Sequence, residues 1–91
     1  MRLRWTDSAA QDLDRIADYL FEQTPLHAEP LTRAIYQAPG ISLRSPRVGR
    51  TGRCDGTREL VLAPLPWILV YVVGEQSIDI VRVLHGAQRW P

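Results

Sequence analysis

Residues 67–73 read WILVYVV, the longest apolar run in the chain. A run of that length falls far short of the roughly 20 residues that span a bilayer, but it suits a strand buried on both faces. Two further segments of strand chemistry flank it, RELVLAP from position 58 and SIDIVRVL from 77. In the first, Leu60 and Leu62 alternate with Glu59 and Val61; in the second, Asp79 and Arg82 interrupt Ile78, Ile80 and Val83. Pro64 and Pro66 break the first connection, and GEQS at 74–77 supplies a hairpin turn.

The first half of the chain has a different period. LRW at 3–5 alternates with Arg2 and Arg4 as a short strand would. Ala9, Leu13, Ile16, Ala17, Leu20 and Phe21 then recur at helical spacing, leaving Asp12, Asp14, Arg15, Asp18 and Glu22 for the solvent side. Ser8, with Gln11 three residues on, reads as the N-cap of a capping box. Thr24-Pro25 starts a second helix almost where the first ends, with Leu31, Ala34, Ile35 and Ala38 as its apolar stripe. So short a connection predicts an antiparallel helical hairpin. Pro30 is tolerated only in a first turn, and Pro39-Gly40 ends or kinks the helix near Ala38, with Ile41 and Leu43 available for one more turn. The predicted fold class is therefore α+β: an N-terminal strand at a sheet edge, the helical hairpin on one face, then a three-stranded antiparallel sheet.

Charge singles out the segment between these halves. The chain carries a net +1, yet residues 44–58, RSPRVGRTGRCDGTR, hold Arg44, Arg47, Arg50, Arg53 and Arg58 against Asp55 alone. Its Gly, Pro, Ser and Thr predict an exposed loop. Every basic side chain in the protein is Arg, whose planar fork suits bidentate contacts to phosphate or carboxylate. With the last strands as neighbours, Arg58 and Arg82 can project from one concave sheet face that would hold phosphates; the competing reading pairs Arg82 with Glu59 or Asp79. His85 suits general acid–base chemistry or a structural hydrogen bond that fixes the last turn, where Gly86 would let the chain bend. Trp90 is expected to pack back on the body or to face a partner.

Other chemistries lack their motifs. His27, His85 and Cys54 have no paired ligand spacing, so no metal is expected, and GRTGR lacks the ending of a phosphate-binding loop. The lone Cys54 cannot form an internal disulfide, and no apolar stretch follows the basic residues of MRLRWTDSAA, which predicts a cytoplasmic protein without membrane association. No cofactor is called for.

SAAQDLDRIADYL, SPRVGR, TRELVL, PWILVYVV and IDIVRVLHGAQRWP together resemble the RelE/ParE superfamily, the toxin subunits of bacterial type II toxin–antitoxin modules. RVLHGAQ with the preceding strand is the most specific part. Residues 24–43 depart most, because Pro30 and Pro39-Gly40 interrupt what is generally a long second helix in that superfamily. The resemblance implies one toxin domain over residues 1–91, neutralised by a ParD/RelB-like antitoxin that lays an amphipathic segment on it. Leu13, Ile16, Leu20, Leu31 and Ile35 on the hairpin are the expected antitoxin contacts. ParE-like members poison DNA gyrase; RelE-like members cleave messenger RNA on the ribosome. The absence of Lys, the modest charge and the absence of Tyr after Tyr71 favour the gyrase class. In that class Arg47, Arg50, Arg53, Arg58, Arg82, His85 and Trp90 are the expected target contacts, and no residue is catalytic. In the alternative, Arg58, Arg82 and His85 would act on RNA.

Overall fold

The computed structural model describes residues 1–86 and 88. Strand β1 (Arg2–Trp5) leads into helices α1 (Asp7–Gln23), α2 (Pro25–Gln37) and the short α3 (Gly40–Arg44). Strands β2 (Arg50–Thr51), β3 (Arg58–Val61), β4 (Trp67–Val73) and β5 (Ser77–His85) follow. They form one mixed sheet in the order β1-β5-β4-β3-β2. The three expected antiparallel strands are its centre; β1 joins β5 in parallel, and the arginine-rich segment, expected as an exposed loop, adds a two-residue edge strand. Two residues cannot generate a periodic signal, so β2 is visible only through its pairing with β3.

The helical hairpin packs on one sheet face. Trp67, Leu69, Tyr71, Ile78, Ile80 and Val83 meet Ala9, Leu20, Ala28 and Ile35 there, with Leu13, Ile16, Leu31, Leu60 and Leu62 partly buried around them. A strict two-residue period along β5 would turn Val83 away from Ile80. An extra residue prevents this: β5 pairs Ile80 with Tyr71 and Arg82 with Val70, leaving Val81 unmatched in a β-bulge that restores Val83 to the core side.

Thr6 joins the sheet to the hairpin. It, and not Ser8, caps α1: its hydroxyl accepts the Ala9 N–H at 3.2 Å and donates to the Ile80 carbonyl at 3.0 Å. Thr24 and Pro25 begin α2 as expected, but Pro30 lies in its interior. The Leu26 carbonyl thereby loses its helical partner, a loss reduced because Leu26 and Pro30 are both exposed to water. Beyond Ala38, α3 forms the extra turn suggested by Ile41 and Leu43. Phe21 and Ala34, counted in the apolar stripes, face outward, while Asp12, assigned to solvent, is buried. No helix among the described residues is long and apolar enough to cross a membrane.

The stretch from Pro46 to Gly49 is anchored on Tyr71, a fully buried side chain of β4. The Tyr71 hydroxyl donates to the Pro46 carbonyl and accepts the Gly49 N–H, both at 2.8 Å. A Cβ at position 49 would sit 2.8 Å from that hydroxyl and 2.9 Å from the Glu59 carbonyl, so glycine serves close approach here. Tyr71→Phe strands both backbone groups and should cost about 1–3 kcal/mol; Gly49→Ala should destabilise as well, by displacing the same segment. Urea denaturation of each variant checks both, and a midpoint equal to the parent's would refute the anchor.

Candidate functional site

The most strongly bound side chain in the described structure is Asp12, only 4% exposed. It lies three residues after Ala9 and four before Ile16, which places it on the inward face of α1. β1 ends opposite Ile80, so β5 continues past it with no strand on that side. Asp12 occupies the vacated edge. Its Oδ2 accepts the Val83 N–H at 2.9 Å and Arg82 Nε at 2.7 Å. Its Oδ1 accepts Arg82 Nη2 at 3.2 Å and Arg15 Nη2 at 2.6 Å. Burial by itself would raise the Asp12 pKa, but the Arg82 hydrogen bonds, the Val83 N–H and the adjoining guanidinium charges together hold it below the ordinary carboxylate range. The same pairing raises Arg82 further. Arg82 thus finds its partner 70 residues away on a helix, not at Glu59 or Asp79. The heptad-like spacing of Ala9, Asp12, Ile16 and Leu20 was the available signal.

Glu59 is a second buried hub, 2% exposed. Arg50 Nη2 reaches its Oε1 at 2.9 Å, the Arg53 N–H its Oε2 at 3.1 Å, and Arg53 Nε lies 3.6 Å from Oε2. Burial pushes its pKa up, but the Arg53 N–H, the Arg50 hydrogen bond and both guanidinium charges bring the balance below the usual value. Asp79, the other suggested partner of Arg82, faces Arg4 at 3.5 Å. Arg58 Nη1 donates to the Gly49 carbonyl at 2.8 Å, and Arg47 is exposed.

Four of the expected target-contact residues fall on two clefts, Arg82 and His85 on one and Arg47 and Arg58 on the other, while Arg50 and Arg53 line neither. One, of about 420 Å³, lies beside α1 and is lined by Asp12, Arg15, Ile16, Tyr19, Trp67, Arg82 and His85 among others. The other, of about 430 Å³, is lined by Pro46, Arg47, Thr51, Gly56, Thr57, Arg58 and Val73. Arg58 and Arg82 therefore do not share the single concave face expected of them. Arg58 lies in register with Tyr71 and Ile80 and reaches the Gly49 carbonyl, whereas Arg82 lies in register with Val70 and Glu59 and is drawn to Asp12 on α1.

His85 is exposed at the end of β5, paired in register with Trp67, with the two rings edge to face at a centroid distance of 6.4 Å. Its backbone N–H donates to Gln88 Oε1 at 3.3 Å. Gly86 donates to the Pro66 carbonyl at 2.7 Å, and a Cβ there would make only ordinary contact, so the bend after His85 does not demand glycine. Trp90 lies outside the described residues. Of the expected antitoxin contacts, Leu20 and Ile35 are consumed by the core and Leu13, Ile16 and Leu31 are partly buried against it. The hairpin's open apolar side chains are instead Tyr19, Phe21, Leu26 and Tyr36, of which the patterning included only Phe21 and placed it inward.

A helical hairpin laid on one face of a mixed sheet whose first strand runs parallel to its last defines a RelE/ParE-like toxin fold. The family described as "ParE toxin of type II toxin-antitoxin system, parDE" matches residues 3–90, and the chain belongs to it. It is 38% identical over 90 residues to the candidate toxin Y4kP of Sinorhizobium fredii, covering 99% of this chain and 93% of that one. Toxin RelE2 of Caulobacter vibrioides is 33% identical over 84 residues, 92% of this chain and 93% of that one. Among solved structures, the chromosomal ParDE system of P. aeruginosa superposes with a TM-score of 0.87 at 28% identity, covering 93% of this chain and 95% of that one. The RelBE2 toxin–antitoxin complex of Mycobacterium tuberculosis gives 0.67 at 26% identity, over 96% and 92% of the respective chains.

Breaking the Asp12 hub is expected to be costly. Asp12→Ala leaves Arg82 without its carboxylate and strands the Val83 N–H, which should destabilise by about 3 kcal/mol or more in urea denaturation. A loss below about 1 kcal/mol, the range of an exposed ion pair, would show that the hub does not hold α1 to β5. The pH dependence follows in sign. Asp12 and Glu59 have lower pKa values folded than unfolded, so their stabilisation is complete at neutral pH and is lost as pH falls from about 4 through the lowered values. Unfolding midpoints measured between pH 7 and pH 2 should fall on the acid side, less steeply in Asp12→Ala than in the parent.

Proposed function

We propose that this toxin arrests growth by binding DNA gyrase, and that a ParD/RelB-like antitoxin holds it inactive in the cytoplasm until released. The observation that carries the gyrase reading is the separation of Arg58 from Arg82. Metal-free RNA cleavage needs cations gathered about one scissile phosphate and an acid–base group beside them. Here the two arginines line different clefts, and the charge of Arg82 is already committed to buried Asp12. Arg50 and Arg53 are likewise engaged by Glu59. What remains is a set of rigidly held surfaces, which suits stoichiometric binding to a protein target. The higher TM-score to the ParDE system than to RelBE2 agrees with this reading.

The antitoxin surface is the outer side of the helical hairpin. Tyr19, Phe21 and Tyr36 are each more than half exposed and Leu26 is 89% exposed, an apolar display that a helical partner segment would cover. The partly buried Leu13, Ile16 and Leu31 lie at the base of those helices as a floor for the same contact.

Purified toxin added to gyrase and relaxed plasmid should abolish supercoiling or accumulate cleaved DNA, and prior mixing with the antitoxin should prevent either effect. Ribosome-bound message incubated with the same toxin should stay intact. Unimpaired gyrase at large toxin excess, together with message cut in an Arg82-dependent way, would instead establish the endoribonuclease reading.

A further inference from the structure

The arginines of residues 44–58 are not equivalent, and two of the three that buried Glu59 leaves over meet in one place. Glu59 engages Arg50 and Arg53. Arg47 is exposed and makes no ion pair among the described residues, and Arg58 spends one donor on the Gly49 carbonyl, leaving the rest of its guanidinium for the cleft. Both line the cleft of about 430 Å³ with Thr51, Thr57 and Gly56. Arg58 is held in place: its acceptor, Gly49, is fixed in turn by the Tyr71 hydroxyl, which also holds Pro46, the neighbour of Arg47. The Thr57 hydroxyl is turned to the Cys54 carbonyl at 2.6 Å, and Thr51 brings a further hydroxyl to the cleft.

We infer that this cleft binds a backbone phosphate of duplex DNA. Arg47 and Arg58 supply charge-assisted donors and Thr51 a neutral one, a donor set suited to the non-bridging oxygens of a phosphodiester. Among the described residues Pro46 and Val73 are the only apolar side chains lining the cleft, too little surface to anchor a peptide side chain. The inference deepens the gyrase reading and rests on it for its biological setting: a toxin docked on an enzyme that holds DNA would touch that DNA through this cleft. Arg82 and His85 line the other cleft and take no part.

The test is fluorescence anisotropy of a labelled duplex with the full chain, at several salt concentrations and with inorganic phosphate as competitor. Arg47→Ala should weaken binding about fivefold or more and reduce the salt slope by about 1, whereas Arg33→Ala, which removes an exposed charge on α2, should change neither. Equal losses in the two variants, or none in Arg47→Ala, would overturn the site, as would failure of the parent chain to bind the duplex at low salt. Tighter Arg47-dependent binding to single-stranded RNA than to the duplex would also overturn it, in favour of an RNA groove. Binding of parent and Arg47→Ala to gyrase without DNA, measured in parallel, separates the two ideas. Gyrase binding without any Arg47 effect on DNA defeats the cleft alone, and an Arg47 effect on DNA with no gyrase binding defeats the gyrase reading alone.

Discussion

The contact on which most else depends is a single carboxylate filling the place of a missing strand. β1 is too short to accompany β5 along its length, and the bulge at Val81 disturbs the ladder just where β1 stops. An edge of unmet N–H groups beside a helix would be expensive in a buried setting. Asp12 answers it from α1, and because a carboxylate buried there needs more than one donor, Arg82 and Arg15 complete its shell. One residue thereby ties α1 to β5 just past the bulge and engages the charges of Arg82 and Arg15.

The patterns of this chain made its gross fold legible. Period-two and period-3.6 segments placed the three central strands and both long helices, and Thr24-Pro25 placed the hairpin bend. What escaped had a common cause: it depended on partners distant in sequence. Asp12 looks like any surface acid of an amphipathic helix until Arg82 is brought beside it, and Glu59 looks like the polar half of an alternating strand until Arg50 and Arg53 fold over it. β2 is two residues long and exists through its pairing with β3. Pro30 was legible as a problem, and its toleration depends on the exposure of the turn that contains it.

The arginine segment was the hardest part to read, since five identical side chains carry no pattern that sorts them. Folding does the sorting through one buried acid, Glu59, and one carbonyl, that of Gly49. Arg50 and Arg53 hold the loop to the sheet, Arg58 is pinned to Gly49, and Arg47 stands open at the rim of the same cleft as Arg58. A basic run in a sequence is thus a supply of charge, and the acids opposite it decide how much reaches the surface. In this toxin the acid that meets the run, Glu59, comes from a regular element, β3, so that decision is built into the scaffold.

The parallel pairing of β1 with β5 joins residues 2–5 to residues 77–80. During synthesis the leading strand emerges long before its neighbour exists, and the hairpin must wait with its inner face uncovered until the closing strand has left the ribosome. A chain so wired has no partly made form with the finished sheet. Every chain truncated before residue 77 lacks the strand that joins β1 to β4, so the sheet is completed by its last strand to be made.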